Sequence, residues 1–334
     1  MKKTYYLFNP GRLSRKDNTL KFTPVDESGK EGKPRYLPVE GIEDLYVMGS
    51  LDANSALYNF LGKHQVAVHF FDYYENYTGS FMPKDQLLAG KMLVAQTQAY
   101  IDRAKRITIA QQVIDGAAHN MIKNLRYYDK RGRDLQPLIE IMEDYAGGIF
   151  NTIEIDSLMG IEGNIRKVYY EAFNLIVKDF PMEGRTMQPP LSELNALISF
   201  GNMLCYSQCL RAIHQTQLNP VISYLHTPGE RRYSLSLDMA EIFKPLLVDR
   251  VIFKVLNKRI ISSKSFEKRL NGILLNENGR KAFISAFEER LTETFKHRAL
   301  KREVSYKHLI KLECYKLQKH LLGIETYKPF KMYW

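Results

Sequence analysis

The stretch Gly79-Ser80-Phe81-Met82-Pro83-Lys84-Asp85-Gln86-Leu87-Leu88-Ala89-Gly90-Lys91-Met92-Leu93 is where the chain changes its period. Upstream of it, residues 4–8, 19–23, 44–48, 65–71 and 77–82 are short runs carrying β-branched or aromatic residues, and they read as strands. Asp17-Asn18, Ser28-Gly29, Gly41 and Gly79-Ser80 supply the turn chemistry between them, and one amphipathic helix is expected over 54–61, ending at Gly62. Downstream, Leu87, Leu88, Met92, Leu93 and Ala95 open a helical spacing that runs without a proline past Ile114 towards Leu125. The expected fold class is therefore α+β: a small β-rich domain over 1–84, with its boundary near Pro83, and a larger all-α domain over 85–334.

Within the second part, Arg131-Gly132, Gly147-Gly148, Pro181, Pro189-Pro190 and Pro220 punctuate the helices. Ser192 is an expected N-cap for a helix reaching about Gln217, which Asn219-Pro220 stops. Residues 220–237 read as a loop; Ser236 is expected to cap the next helix, with Asp238 in its first turn, where the dipole favours a carboxylate, and Pro245 is expected to kink it.

A chain of 334 residues with 45% hydrophobic and 25% charged residues builds an ordinary core, which excludes disordered and fibrous classes. No run approaches the roughly 18 consecutive apolar residues of a membrane span, and the first ten residues lack a secretory apolar stretch, so a cytoplasmic protein with no membrane partner is expected. Cys205, Cys209 and Cys314 are odd in number and contain no C-x-x-C pair, which argues against disulfides and against a cysteine zinc site. Cys205 and Cys209 share a helix face and read as buried apolar residues. Tyr5, Tyr6, Tyr73 and Tyr74 read as strand packing rather than as platforms for nucleobases.

The net charge of +11 points to a polyanionic partner. Up to Lys84 there are 11 basic and 10 acidic residues, whereas 295–334 alone holds 10 basic against 3 acidic. That terminal run, read as helix-like, carries Arg298, Lys301, Arg302, Lys307, Lys311 and Lys319, which suit phosphate contacts; a solvated helix face is the competing reading.

Dinucleotide, phosphate-loop, zinc-protease and serine-hydrolase motifs are absent. What remains is a carboxylate and histidine constellation. Glu162, Arg166, Tyr169 and Phe173 share one helical stripe, so Glu162 lies beside Arg166, either as a surface i,i+4 ion pair or as part of a site. Arg166 is accordingly a candidate for phosphate contact or for a structural salt bridge. In 224–241 a loop histidine, His226, precedes a helix bearing Asp238 and Glu241, three apart and so on one side. A mixed imidazole and carboxylate set suits Mn2+ or Mg2+ better than zinc; taken singly, His226 also reads as a hydrogen-bonded loop histidine and Asp238 as a dipole acid. Arg231 and Arg232 beside His226 are candidates for DNA backbone contacts or for a solvated loop.

Gly160-Ile161-Glu162-Gly163, Leu194-Asn195-Ala196-Leu197-Ile198-Ser199-Phe200-Gly201, His226-Thr227-Pro228-Gly229 and the helix Ser234-Leu235-Ser236-Leu237-Asp238-Met239-Ala240-Glu241 through Lys244-Pro245, in this order, resemble the CRISPR-associated endonuclease/integrase family that inserts new spacers into CRISPR arrays. The resemblance covers nearly the whole chain, including Phe70-Phe71-Asp72-Tyr73 and Gly79-Ser80-Phe81. It implies a β-domain used for homodimerisation and a helical catalytic domain holding one Mg2+ or Mn2+ ion. Carried over, the metal ligands and catalytic residues are Glu162, His226 and Asp238, with Glu241 as a further acid beside the site. Thr227 stands where the family often has a charged residue; that neighbour is not a ligand, so the implied metal site is unaffected. The implied partners are double-stranded and branched DNA and a small ferredoxin-like adaptation protein in a larger integration complex. The implied reaction is transesterification, a three-prime hydroxyl attacking a phosphodiester at a repeat edge. A structure-selective metal-dependent repair nuclease and a non-catalytic architectural DNA-binding protein remain as alternatives on the residues alone.

Overall fold

The computed structural model describes residues 2–26, 28–72, 76–84, 89–177, 179–229, 233–269 and 271–333. Tyr73, Tyr74, Arg231, Arg232 and the expected helix opening at 85–88 lie outside the described residues. The chain divides into two compact units, 1–86 and 87–334.

The first unit is β-rich. Strands β1 (Lys3–Leu7), β5 (Ile42–Val47), β7 (Ala67–Phe71) and β8 (Tyr77–Phe81) form one sheet in the order β1-β5-β7-β8, parallel except for the β7–β8 hairpin. A second sheet has the order β4 (Arg35–Pro38), β3 (Thr19–Pro24), β2 (Gly11–Lys16), β6 (Leu51–Asp52). The hairpin from β2 to β3 turns at the expected Asp17-Asn18, where Asp17 takes φ 54°. Strands β2, β4 and β6 escape a pattern reading because charged residues dilute them: only Leu13 and Gly11 of β2 are buried, while Arg12 is out in water with Glu31 and Asp52. Helix α1 (Ser55–Lys63) starts where the Asn54 side chain accepts the Leu57 N–H at 3.0 Å, and its buried Leu57, Phe60 and Leu61 join Leu20, Ile42, Leu45, Val66 and Val68 in the core.

The second unit is mostly helical: α2 (Gly90–Ile101), α3 (Arg103–Asp129), α4 (Gln136–Gly147), α5 (Ile155–Ile176), α6 (Glu193–His214), α7 (Ser234–Lys244), α8 (Arg250–Asn257), α9 (Glu277–Thr292) and α10 (Tyr306–Leu321). Short hairpins, β9 (Phe266–Arg269) with β10 (Gly272–Leu275) and β11 (Thr294–His297) with β12 (Arg302–Ser305), separate the later helices. Ser192 caps α6 as expected, accepting the Asn195 N–H at 3.2 Å. The helical run opening the unit is broken where it was expected to continue: Asp102 is extended and its carboxylate caps α3 through the Lys105 N–H. An aspartate that competes for backbone donors ends one helix and starts the next without any proline.

Two further expectations are corrected. Residues 295–305 are a hairpin, not helix: Glu293 turns extended after α9, Thr294 pairs with Ser305 and Phe295 with Val304, and Lys301 holds φ 52° at the turn. Thus Arg298, Lys301 and Arg302 sit on or beside exposed hairpin positions, while Lys307, Lys311 and Lys319 ride α10. Helix α7 starts at Ser234, so Asp238 lies past the first turn and Ser236 is no cap; its hydroxyl donates to the Tyr233 carbonyl at 2.7 Å.

Helix α7 positions the site. All of Ser234–Lys244 is buried, and α3, α6 and α10 pack around it. A helix apolar on every side would suffice for such a place, yet this one carries Asp238, Glu241 and Lys244 at three-residue intervals on one flank, each under a tenth exposed. Buried charges persist only when paired, so that flank must meet partners. Pro245 lacks the N–H that would continue the ladder, and the chain passes through a π-helical turn, Pro245–Asp249, before α8. Gly201 of α6 lets this turn approach: a Cβ there would lie 2.4 Å from Val248 Cγ1.

Candidate active site

The loop before α7 closes onto Asp238. Its Oδ2 accepts the backbone N–H groups of Tyr224 (2.7 Å) and Leu225 (3.0 Å); its Oδ1 accepts the His226 N–H (3.0 Å) and the His226 ring Nδ1 (2.8 Å). A carboxylate offers about four acceptor positions, and here all four are used. Since an ionised carboxylate only accepts, Nδ1 carries the proton and Nε2 is the basic nitrogen; among the described residues nothing is bonded to Nε2. The ring is 27% exposed, whereas Asp238 is fully buried. The Ser223 hydroxyl donates to the His226 carbonyl at 2.6 Å and Arg106 to the Tyr224 carbonyl at 2.9 Å, so the histidine is fixed from both sides.

Glu241, one turn on, reaches a second partnership. Arg166 of α5 donates through Nε to Glu162 and through Nη2 to Glu241, and Lys244 Nζ donates to the other Glu241 oxygen at 2.7 Å. The Glu162–Arg166 pair is thus no surface pair; both side chains are about 15% exposed and a third residue shares them. Burial works against the Arg166 charge, but Glu162 beside it holds its proton firmly and raises its pKa. Two acids from different helices gather on one cation, and the i,i+3 spacing places Asp238, with its histidine, on the same side of α7 as Glu241.

Below them Tyr169 Oη donates to Asp249 Oδ2 at 3.0 Å and accepts from Asn124 Nδ2 at 3.0 Å. Burial pushes Asp249 up to about 7, against the pull of Arg166, the Tyr169 hydroxyl and Lys244. Sequence reading missed Asp249; an acid inside the apolar run Pro-Leu-Leu-Val-Asp-Arg-Val-Ile-Phe was its signal. It missed Arg185 too, whose guanidinium donates to Asn195 Oδ1 and Ser199 Oγ, both at 2.9 Å; only the motif residues Asn195 and Ser199 pointed there.

Among the described residues no three His, Cys, Asp or Glu side chains are gathered to hold a metal ion. The donors are nonetheless of the right kind. An imidazole anchored through Nδ1 on a buried carboxylate is the usual outer support of a metal-binding histidine, and two carboxylates around a cation are hard oxygen donors. The exposed Arg298, Lys301 and Arg302 stand apart: among the described residues no hydrogen bond or ion pair joins them to this site, and Arg298 stacks 3.9 Å over the Tyr333 ring. Cys205, Cys209 and Cys314 are free and buried. No described helix is long and apolar enough to cross a membrane.

A β-rich unit followed by a helical unit, whose buried central helix presents two acids to a loop histidine and to a glutamate of a second helix, defines a class of α+β proteins with a polar site on helical walls. The sequence profile described as CRISPR associated protein Cas1 matches residues 5–289, and the chain belongs to that family. It is 44% identical to the CRISPR-associated endonuclease Cas1 of Fusobacterium nucleatum, over 100% of this chain and 98% of that one. Among solved structures, that of a Cas1 protein from Thermotoga maritima is 37% identical and matches 98% of this chain and 99% of its own with TM-score 0.85. A casposase bound to integration product, 20% identical, shares the fold with TM-score 0.87 over 99% of this chain and 93% of that one.

Proposed function

We propose that this protein is a divalent-metal-dependent DNA endonuclease and integrase that joins short DNA duplexes to a CRISPR repeat array. The observation that carries the reading is the His226–Asp238 pair: a partly exposed imidazole with Nε2 available, locked in one tautomer by a fully buried carboxylate. Membership of a family whose relatives are named endonucleases supports it. Glu162, His226 and Glu241 would hold the ion. Asp238, which the motif alone made a ligand, has its oxygens engaged by three backbone N–H groups and the ring, so its part is to orient His226; this exchanges the roles that the sequence gave to Asp238 and Glu241.

A bound Mg2+ or Mn2+ would offset phosphate charge and favour the alkoxide forms of attacking and leaving oxygens. The chain's own residues set the stage. Arg166, released from one acid, is placed to meet phosphate charge. Lys244 pairs with Glu241 in a buried place. The same arrangement serves a three-prime hydroxyl or water as attacking group, so strand joining and hydrolysis share it. The basic surface and the family resemblance support a DNA partner, a homodimer through the β-rich unit, and a small ferredoxin-like partner protein.

The test is to give the purified protein a branched DNA that mimics a half-integrated spacer, with Mn2+ or Mg2+, beside His226→Ala. Metal-dependent rejoining of the target strand that the variant lacks supports the reading. Cutting without rejoining makes it a nuclease alone, and tight binding with neither makes it an architectural DNA-binding protein.

A further inference from the structure

Beside Glu162, between α5 and the segment 182–185, lies a cleft of about 330 Å³, near the lower end of the roughly 300 to 1,000 Å³ typical of ligand sites. That volume suits one nucleotide of a strand rather than a duplex. Its inner wall holds Arg166, Tyr170 and Arg185; Lys167, Glu171 and Glu183 stand at the exposed rim. Gly163 also lines the cleft and borders open space.

The two guanidiniums differ in what compensates them. Arg166 has Glu162 and Glu241. Arg185 has only neutral acceptors: Asn195 Oδ1 and the Thr186 carbonyl on Nη1, Ser199 Oγ on Nη2, and the Tyr170 side chain of the same wall. Among the described residues no carboxylate pairs with it, and burial, with Arg166 nearby, lowers its pKa. Desolvating a cation against neutral acceptors and beside a like charge is costly unless an anion completes the site. The residue is also held ready. Asn195 accepts the Thr186 N–H at 3.1 Å and donates to the Gly184 carbonyl at 2.8 Å, so it fixes the segment that carries Arg185 to the first turn of α6. Three of the five guanidinium N–H groups are spent on this anchoring and a fourth on Tyr170, which leaves one donor for an anion, with Tyr170 able to yield its place. The rim carboxylates stay in water, where screening weakens their claim on the inner wall.

We propose that this cleft is a phosphate seat: it takes a DNA phosphodiester flanking the one that reacts, with Arg185 as its contact and Tyr170 beside the attached nucleotide. The inference rests on the DNA-joining function proposed above. It makes Arg185 a substrate-positioning residue and gives a reason for an asparagine and a serine in the Leu194–Gly201 motif: they aim a cation.

The experiment uses full-length protein and the branched DNA with single methylphosphonate linkages, which are neutral, placed one at a time on either side of the reacting phosphodiester in both strands. Wild type, Arg185→Gln and Arg185→Lys are compared, each checked for native melting. In the wild type one linkage should lower kcat/KM by about ten- to a hundredfold, the scale of a charge-assisted hydrogen bond. The same linkage should cost Arg185→Gln less than about twofold, since the contact is already lost. Its position tells whether the seat serves the incoming or the target strand. Equal losses in wild type and variant at every linkage overturn the proposal. If Arg185→Gln does not fold, Arg185→Lys, which keeps the charge and loses the fork, must show a reduced loss at that linkage, and an undiminished loss overturns the proposal. If the wild type neither cuts nor joins, the proposed function falls. The seat is then decided by equilibrium binding of the same DNAs, where Arg185→Gln must lower the slope of log K against log salt by about one.

Discussion

Asp238 Oδ1 receives both the backbone N–H of His226, at 3.0 Å, and its ring Nδ1, at 2.8 Å, so a single buried oxygen fixes the position and the tautomer of the imidazole at once. Asp238→Asn keeps one acceptor but presents an amide where the ring proton needs an oxygen. Loss of an orienting carboxylate costs a metal-bound histidine about 10- to 100-fold in affinity or activity. We expect that loss in Mn2+ binding followed by calorimetry and in strand joining on gels, with destabilisation of about 1–3 kcal/mol from the unsatisfied backbone donors. Wild-type metal affinity in a folded Asp238→Asn protein would refute the orienting role.

Arg166 bridges Glu162 and Glu241, and both acids are largely buried. Replacing it with Met leaves Glu241 with Lys244 alone and Glu162 with no cation among the described residues, so the metal-free protein should lose about 3–5 kcal/mol, the usual result of removing one member of a buried pair. A divalent ion restores the missing charge between the same acids. Thermal melting of Arg166→Met should therefore rise more on adding Mn2+ than that of the wild type; an equal or smaller rise contradicts a shared seat for the two acids.

The fold was legible where pattern and turn chemistry coincide: the switch of period near Pro83, the Asp17-Asn18 hairpin and the Ser192 cap all read from local sequence. Strands β4 and β6 were not, because they are short edge strands, and β2 was not, because its charged, exposed face hides the apolar period of an inner strand. The 294–305 hairpin was hidden by its charges, which suit an exposed helix as well as a hairpin. At the site, spacing put Asp238 and Glu241 on one flank, but it did not show the loop folding back to place three N–H groups on Asp238, the contact on which the proposed division of roles between the two acids rests.

Asp249 ties stability to pH. Its folded pKa, raised from an ordinary 3.8 to about 7, means that between about pH 4 and 7 the native state keeps a proton that the unfolded chain has released. Stability from this group is therefore complete below pH 4 and declines as pH rises through 7. Asp249→Asn still accepts from Tyr169 and does not ionise, so its melting temperature should fall less than that of the wild type between pH 5 and 8. Parallel melting curves across that range would show that Asp249 stays ionised in the fold.

Cutting the chain before Phe295 is no test of the basic terminal segment, because Val304, Tyr306, Leu309, Phe330 and Met332 are buried and Asn120 of α3 bonds the Phe330 carbonyl and the Met332 N–H. The exposed hairpin cations can be removed without touching that packing. Arg298→Gln, Lys301→Gln and Arg302→Gln together should leave the melting temperature within a few degrees of wild type. If each meets one phosphate, the slope of log K against log salt falls by about three and non-specific DNA affinity drops uniformly across sequences. An unchanged slope assigns the hairpin charges to solubility alone and leaves DNA binding to the helical site and its surroundings.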